Sequence, residues 1–158
     1  MAKILVGFMG AGKSTVARLL DPDYIDMDEV IEKRIGMPIA DFFASQGEAA
    51  FRQIESQVLE ELLKSNHVVS TGGGVIVSGT NRQLLKYHPD TVYLRASFET
   101  LYERIQSDEE NVRPLFVNNS KEDFKAIFNG RLDWYEEVAS QIVDVDDKTP
   151  QAIVEVIK

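Results

Sequence analysis

Cysteine is absent from all 158 residues, which excludes disulfide frameworks, thiolate-bound zinc, iron–sulfur clusters and thiol catalysis, and is compatible with a reducing compartment. Histidine is scarce as well: only His67 and His88 occur, and two isolated imidazoles are too few ligands for a metal site. Positive charge is in deficit, 17 basic against 26 acidic residues, for a net charge of −9. An acidic surface of this kind repels nucleic acid and anionic membrane, so any anionic ligand has to meet locally concentrated positive charge. No apolar run approaches the ~18 residues of a membrane span. Ile4-Leu5-Val6 runs straight into Gly10-Ala11-Gly12-Lys13 without a small-residue cleavage site, so the start reads as mature protein and the expected compartment is the cytoplasm. Repeats, low-complexity tracts and domain linkers are missing too, and the longest polar, breaker-rich stretch, Ser107 to Ser120, reads as a loop.

What is present is an ordinary globular composition, 44% apolar and 27% charged, in a chain long enough to bury roughly 70% of its unfolded surface. One domain spanning residues 1–158 is expected. Short β-branched or apolar runs recur at residues 3–8, 23–26, 67–71, 91–95 and 141–145, separated by segments of helical periodicity. That alternation predicts an α/β fold of three layers, α/β/α, with a five-stranded parallel sheet covered by helices on both faces. Thr149 before Pro150, and Ser120 three residues before Asp123, mark the starts of the last two helices. Pro38 opens a short helix carrying Phe42 and Phe43, and between residues 48 and 64 Phe51, Ile54, Val58 and Leu62 recur at helical spacing.

Gly7-Phe8-Met9-Gly10-Ala11-Gly12-Lys13-Ser14 is a full match to G-x-x-x-x-G-K-[ST], placed between an apolar strand and a helical run. Backbone N–H groups of such a loop turn inward to cradle phosphate oxygens, and the helix N-terminus adds partial positive charge. Gly10, Ala11 and Gly12 supply the cradle, Lys13 reaches the β- and γ-phosphates, Ser14 ligates Mg²⁺ through its hydroxyl, and Thr15 meets the α-phosphate. A nucleotide site follows; the fate of its phosphate does not.

Strand 23–26 ends in Asp26-Met27-Asp28, and the period of two in an extended chain points both carboxylates to one side. At the carboxyl end of a parallel strand Asp26 is placed to hold Mg²⁺ through water and Asp28 to reach an acceptor hydroxyl. The alternative, compatible with the first, is that Asp28 caps a helix Glu29 to Ile35. Gly72-Gly73-Gly74 follows another strand, and three missing side chains suggest a ligand approaching the backbone too closely for any Cβ. Arg131 falls in register with the apolar stripe Phe124, Ile127, Phe128, Tyr135 and Val138, where a buried guanidinium requires an anion, either a ligand carboxylate or a nearby acid. Gly130 beside it weakens the helix as if to admit an approaching group. Arg52 has Glu55 at i+3, so a surface ion pair competes with a binding role. Arg113 stands in the loop 108–120 as a positive tip able to close over the γ-phosphate. Trp134 and Tyr135 are expected in the core, and the two histidines are assigned no chemistry.

These pieces together resemble the shikimate kinase family, small phosphate-loop kinases of the nucleoside-monophosphate-kinase type of fold. Beyond the loop, the resemblance rests on Ile25-Asp26-Met27-Asp28, on Gly36 to Phe43 leading to Gly47-Glu48-Ala49-Ala50-Phe51-Arg52, on Thr71-Gly72-Gly73-Gly74 and on Arg113-Pro114-Leu115. It implies a substrate-binding subregion at about 27–55, a lid at about 107–120, and ATP-dependent phosphorylation of the 3-hydroxyl of shikimate with Mg²⁺. Lys13, Asp28 and Arg113 would be catalytic. Asp28, Arg52, Gly72, Gly73, Gly74 and Arg131 would bind shikimate; Arg104 would stack on the adenine and Pro150 border it. ATP and shikimate are then the expected partners of a monomer, with no nucleic acid and no membrane. Kinases of gluconate or of a nucleoside monophosphate, and a non-catalytic nucleotide-binding regulator, remain alternatives. The segment Arg18 to Tyr24 is about one helical turn shorter than is usual for the family, so the helix after the loop is expected to end early, at Pro22. Phe116 stands where a second leucine is common, and Leu132-Asp133 follows Arg131 in place of alanine-proline.

Overall fold

Two or three apolar residues in a row, too few for a buried helix but enough to cross a sheet, form the centre of each main strand. The computed structural model describes residues 1–107 and 114–157, with 114 and 115 described by their backbone. Strands β1 (Lys3–Val6), β2 (Ile25–Asp26), β3 (Val68–Ser70), β4 (Thr91–Arg95) and β5 (Gln141–Asp144) lie in the order β2-β3-β1-β4-β5, each parallel to its neighbours. Ile4 pairs with Val69 on one side and Thr91 on the other. Successive side chains of a strand point to opposite faces, and Ile4, Leu5 and Val6 are all 0% exposed, so helices cover both faces of β1. The expected five-stranded parallel sheet is the observed one.

The helices are α1 (Lys13–Leu20), α2 (Met27–Ile35), α3 (Ile39–Gln46), α4 (Glu48–Leu63), α5 (Gly79–Tyr87), α6 (Phe98–Ser107), α7 (Pro114–Val117), α8 (Lys121–Val138) and α9 (Pro150–Ile157), with a 3₁₀ turn at Val75–Val77. The cap signals hold: the Ser120 hydroxyl accepts from Asp123 N at 3.1 Å and the Thr149 hydroxyl from Ala152 N at 3.2 Å. Pro38 precedes α3, and Phe51 and Val58 of α4 are buried. α1 ends at Leu20, two residues before Pro22. The Asp21 carboxylate then accepts from Asp23 N at 2.9 Å and from Val68 N at 3.2 Å, tying the shortened turn to the start of β3.

One aromatic cluster connects the sheet to the site. Phe8, inside the phosphate loop, packs edge-on against Phe124 and Phe128 of α8 at 5.5 and 5.3 Å between ring centres. α8 carries Arg131, so the loop and that arginine are fixed to one another through buried rings.

Candidate active site

The phosphate loop leaves β1 at Gly7, where a Cβ would stand 2.8 Å from the Leu94 carbonyl oxygen of β4. Gly10 and Gly12 have φ of 86° and 91°, the left-handed region that side chains disfavour. Gly12 is the N-cap of α1 and Lys13 its first residue. The Lys13 ammonium is 8% exposed and donates to Gly7 O at 2.6 Å and Phe8 O at 3.2 Å, so it lies along the loop. Arg104 reaches from α6 to donate to Gly10 O at 3.2 Å. Gly10, Gly12, Lys13, Ser14, Thr15 and Arg104 all border one cavity of about 770 Å³, at the carboxyl ends of β1, β2 and β3. Ala11, 1% exposed, lies beneath it.

Asp26 and Asp28 border the same cavity, but not as alternate residues of a strand. The chain turns helical at Met27, and Asp26 itself is the N-cap of α2, its Oδ1 accepting from Asp28 N at 3.0 Å and Glu29 N at 3.4 Å. The capping role therefore belongs to Asp26, which leaves the Asp28 carboxylate available to the cavity. Burial pushes the Asp28 carboxyl up to about 6, Asp26 and Glu32 add to the rise, and Lys13 and Arg52 oppose it. Ser14 Oγ lies 3.2 Å from Ser70 Oγ, at the mouth of β3. The hard oxygen donors Ser14 and Asp26, sharing a cavity with Lys13, fit Mg²⁺, which is typically bound by one or two protein oxygens together with phosphate. Among the described residues there is no cluster of three or more acids or histidines that would hold a metal by itself.

The three consecutive glycines answer to neighbours in the protein rather than to an open approach. A Cβ on Gly72 would stand 2.7 Å from Asp28 Oδ1, one on Gly73 3.3 Å from Met9 N, and one on Gly74 3.0 Å from Arg52 Nη2. Their bareness lets the carboxylate, the phosphate loop and a guanidinium all close on one stretch of backbone. Of the three, Gly73 borders the cavity. Its carbonyl accepts from Arg131 Nη1 at 3.2 Å and from the Tyr135 hydroxyl at 2.7 Å.

Arg131 has no carboxylate within ion-pair distance among the described residues; its guanidinium lies over the Phe8 ring at 5.7 Å. Arg52 does pair with Glu55, at 3.0 Å, but not at the surface: the two side chains are 17% and 3% exposed. Arg52 Nη1 also donates to Gly74 O at 2.9 Å, while its Nε is buried without a hydrogen-bond partner. Both arginines stand behind the glycine wall of the cavity.

Several expectations fall elsewhere. Arg113 lies outside the described residues. Pro150 begins α9 and does not border the cavity. A Cβ on Gly130 would meet no described protein atom within 4 Å, so no packing within the protein requires a glycine there. His67 precedes β3 with its side chain 44% exposed, 3.1 Å from Asp21. His88 is buried against Ala2 O at 2.6 Å. Tyr135 is core, as expected, and also a donor to Gly73. Trp134 lies 4.4 Å beneath the Arg82 guanidinium. Glu32, Ser70 and Ile105 also line the cavity without having been singled out in the sequence, and Ile39 and Thr71 line it from within segments that were quoted but given no role. Each lies within a few residues of a recognised motif or candidate residue, which was the signal available.

A phosphate loop on the central strand of this sheet, facing a raised carboxyl across one cavity, defines the class of small phosphate-loop kinases. Comparison with known proteins narrows it. The profile of the shikimate kinase family matches residues 9–158. The chain is 54% identical to the shikimate kinase of Streptococcus gordonii over 159 residues, covering 100% of this chain and 99% of that one. The structure of shikimate kinase from Acinetobacter baumannii in complex with shikimate matches with a TM-score of 0.84 at 33% identity, over 99% of this chain and 88% of that chain. That of the Bacteroides thetaiotaomicron shikimate kinase matches with a TM-score of 0.85 at 27% identity, over 99% and 94%. The chain belongs to the shikimate kinase family and is an enzyme.

Proposed function

We propose that the protein transfers the γ-phosphoryl group of ATP to the 3-hydroxyl of shikimate, giving shikimate 3-phosphate and ADP, a step of chorismate and aromatic amino-acid biosynthesis. The observation that carries this reading is Asp28: a carboxyl with its pKa raised to about 6, facing the same cavity as Lys13 and the phosphate loop. A group titrating near neutral pH is suited to accept the proton that the attacking hydroxyl must lose.

The hydroxyl oxygen forms its bond to the γ-phosphorus in line with the breaking bond to the β–γ bridging oxygen, the electron pair leaves on ADP, and the hydroxyl proton passes to Asp28. Gly10, Ala11, Gly12 and Thr15 hold the phosphates with backbone and hydroxyl donors, Lys13 shifts from the loop carbonyls to the β- and γ-phosphates, and Arg104 closes on the nucleotide. Arg113 and Pro150 take the lid and adenine-border roles within this proposal. Ser14 directly, and Asp26 through water by the oxygen its cap leaves free, would hold Mg²⁺, which when bound neutralises phosphate charge. Arg131, with no acidic partner among the described residues, and Arg52, with its buried, unbonded Nε, grip the acceptor beside Gly72, Gly73 and Gly74, the carboxylate of shikimate suiting a guanidinium fork. A single cytoplasmic domain working as a monomer belongs to the same proposal.

ADP release with ATP and Mg²⁺, compared for shikimate, gluconate and AMP, tests it. Release dependent on shikimate alone is expected; equal release with water, or release driven by gluconate or AMP, would overturn the acceptor assignment.

A further inference from the structure

Asn81, in the first turn of α5, is 0% exposed. A buried amide at that depth requires every one of its polar atoms to be satisfied. Its Nδ2 donates to Glu55 Oε1 at 2.9 Å and to Val75 O at 3.0 Å, and its Oδ1 accepts from the Ser56 hydroxyl at 2.5 Å. The two acceptors facing Nδ2, a carboxylate and a carbonyl, fix the orientation of the amide, because the flipped form would set oxygen against oxygen twice. Its backbone N–H is held too, donating to the Ser78 hydroxyl that caps α5.

These bonds close a ring. Glu55 Oε1 accepts from Asn81 and, at 3.0 Å, from Arg52 Nη1; Arg52 Nη1 donates in turn to Gly74 O at 2.9 Å; and Val75, the next residue, offers its carbonyl back to Asn81. Glu55 is 2% exposed, and burial raises its carboxyl while Arg52 and Asn81 oppose the rise. The carboxylate that orients Arg52 thus has two supports, the guanidinium itself and the Asn81 amide. Arg52 and Gly74 are the two members of the ring nearest the cavity, standing directly behind Gly73, which borders it.

We infer that Asn81 is a positioning residue of the acceptor site: one amide hydrogen on Glu55 and the other on Val75 O hold the Arg52 guanidinium and the glycine backbone in mutual register. Asn81 itself touches neither the cavity nor the substrate. The inference rests on the proposal that Arg52 grips the acceptor, and its test separates the two.

Steady-state kinetics of Asn81→Leu, which keeps the volume and removes both donors, supply that test. The KM for shikimate should rise about tenfold, the scale of one hydrogen bond to a charged group, with the KM for ATP within twofold. In a Glu55→Gln background the same change should cost less than threefold, since the guanidinium has already lost the carboxylate through which Asn81 would hold it; a role in packing alone would multiply in full. Should Asn81→Leu fail to fold, Ser56→Ala, which releases the amide oxygen, should raise the shikimate KM about threefold by the same route. An unchanged shikimate KM, a matching rise in the KM for ATP, or full multiplication with Glu55→Gln would overturn the inference while the wild-type reaction stands. Absence of shikimate turnover in the wild type would instead overturn the reading on which it rests.

Discussion

Asp28 shows how environment selects a role for one of two nearly adjacent carboxylates. Asp26 spends one oxygen on the backbone of α2, whereas Asp28 is turned toward buried surroundings that push its carboxyl up to about 6. Because that folded-state value exceeds the ordinary aspartate value of 3.8, the native state binds more protons than the unfolded chain between those limits, so stability falls as pH rises from about 4 to about 6. Asp28→Asn removes the buried charge. It should raise stability above pH 6 by up to about 2–3 kcal/mol while lowering kcat at least a hundredfold; urea melts and turnover at pH 7.5 check both. In the wild type, kcat/KM for shikimate should decline below about pH 6 as the carboxylate protonates. The sequence displayed Asp26 and Asp28 as a pair but not their division of labour, because the capping bond that starts α2 at Met27 depends on where the strand stops. Glu55 and Asn81 were less legible still: a buried carboxylate and amide look like surface residues until their partners, far apart in the chain, are brought together.

At the scale of elements, helix starts marked by Ser, Thr and Pro were readable because the capping partner lies three residues away in the same segment. The glycine run was readable as a place of close approach, yet what approaches comes from α2 and α4, which local sequence does not encode. Gly72→Ala would drive a methyl group to 2.7 Å from Asp28 Oδ1. We expect the protein to fold and kcat to fall about a hundredfold, since a displacement near 1 Å at a reacting group costs that much. Gly130 is the contrasting case. It sits within α8, has an ordinary backbone conformation and open space around it, so Gly130→Ala should stabilise the protein by roughly 0.5–1 kcal/mol. Thermal denaturation together with an unchanged KM for shikimate would confirm that this glycine serves neither packing nor binding.

For the molecule as a whole, the parallel sheet separates stability from chemistry by placing them at opposite ends of its strands. The cavity lies past the carboxyl ends of β1, β2 and β3, while the shortened segment after α1 meets the amino end of β3. Asp21 ties that segment down by accepting from Asp23 N, Val68 N and His67 Nδ1, and the backbone bonds hold its carboxyl below the usual range. A lowered folded-state pKa means that this contribution is present above the unfolded value of 3.8 and is lost as pH falls through the folded one. Asp21→Ala should therefore lower the Tm at pH 7, with a difference from wild type that shrinks as the pH is taken below about 4. It should leave kcat and both KM values within twofold, because β3 stands between Asp21 and the cavity. A loss of activity matching the loss of Tm would mean that the turn and the site are mechanically coupled, and that the missing helical turn has been made good at the expense of the chemistry rather than independently of it.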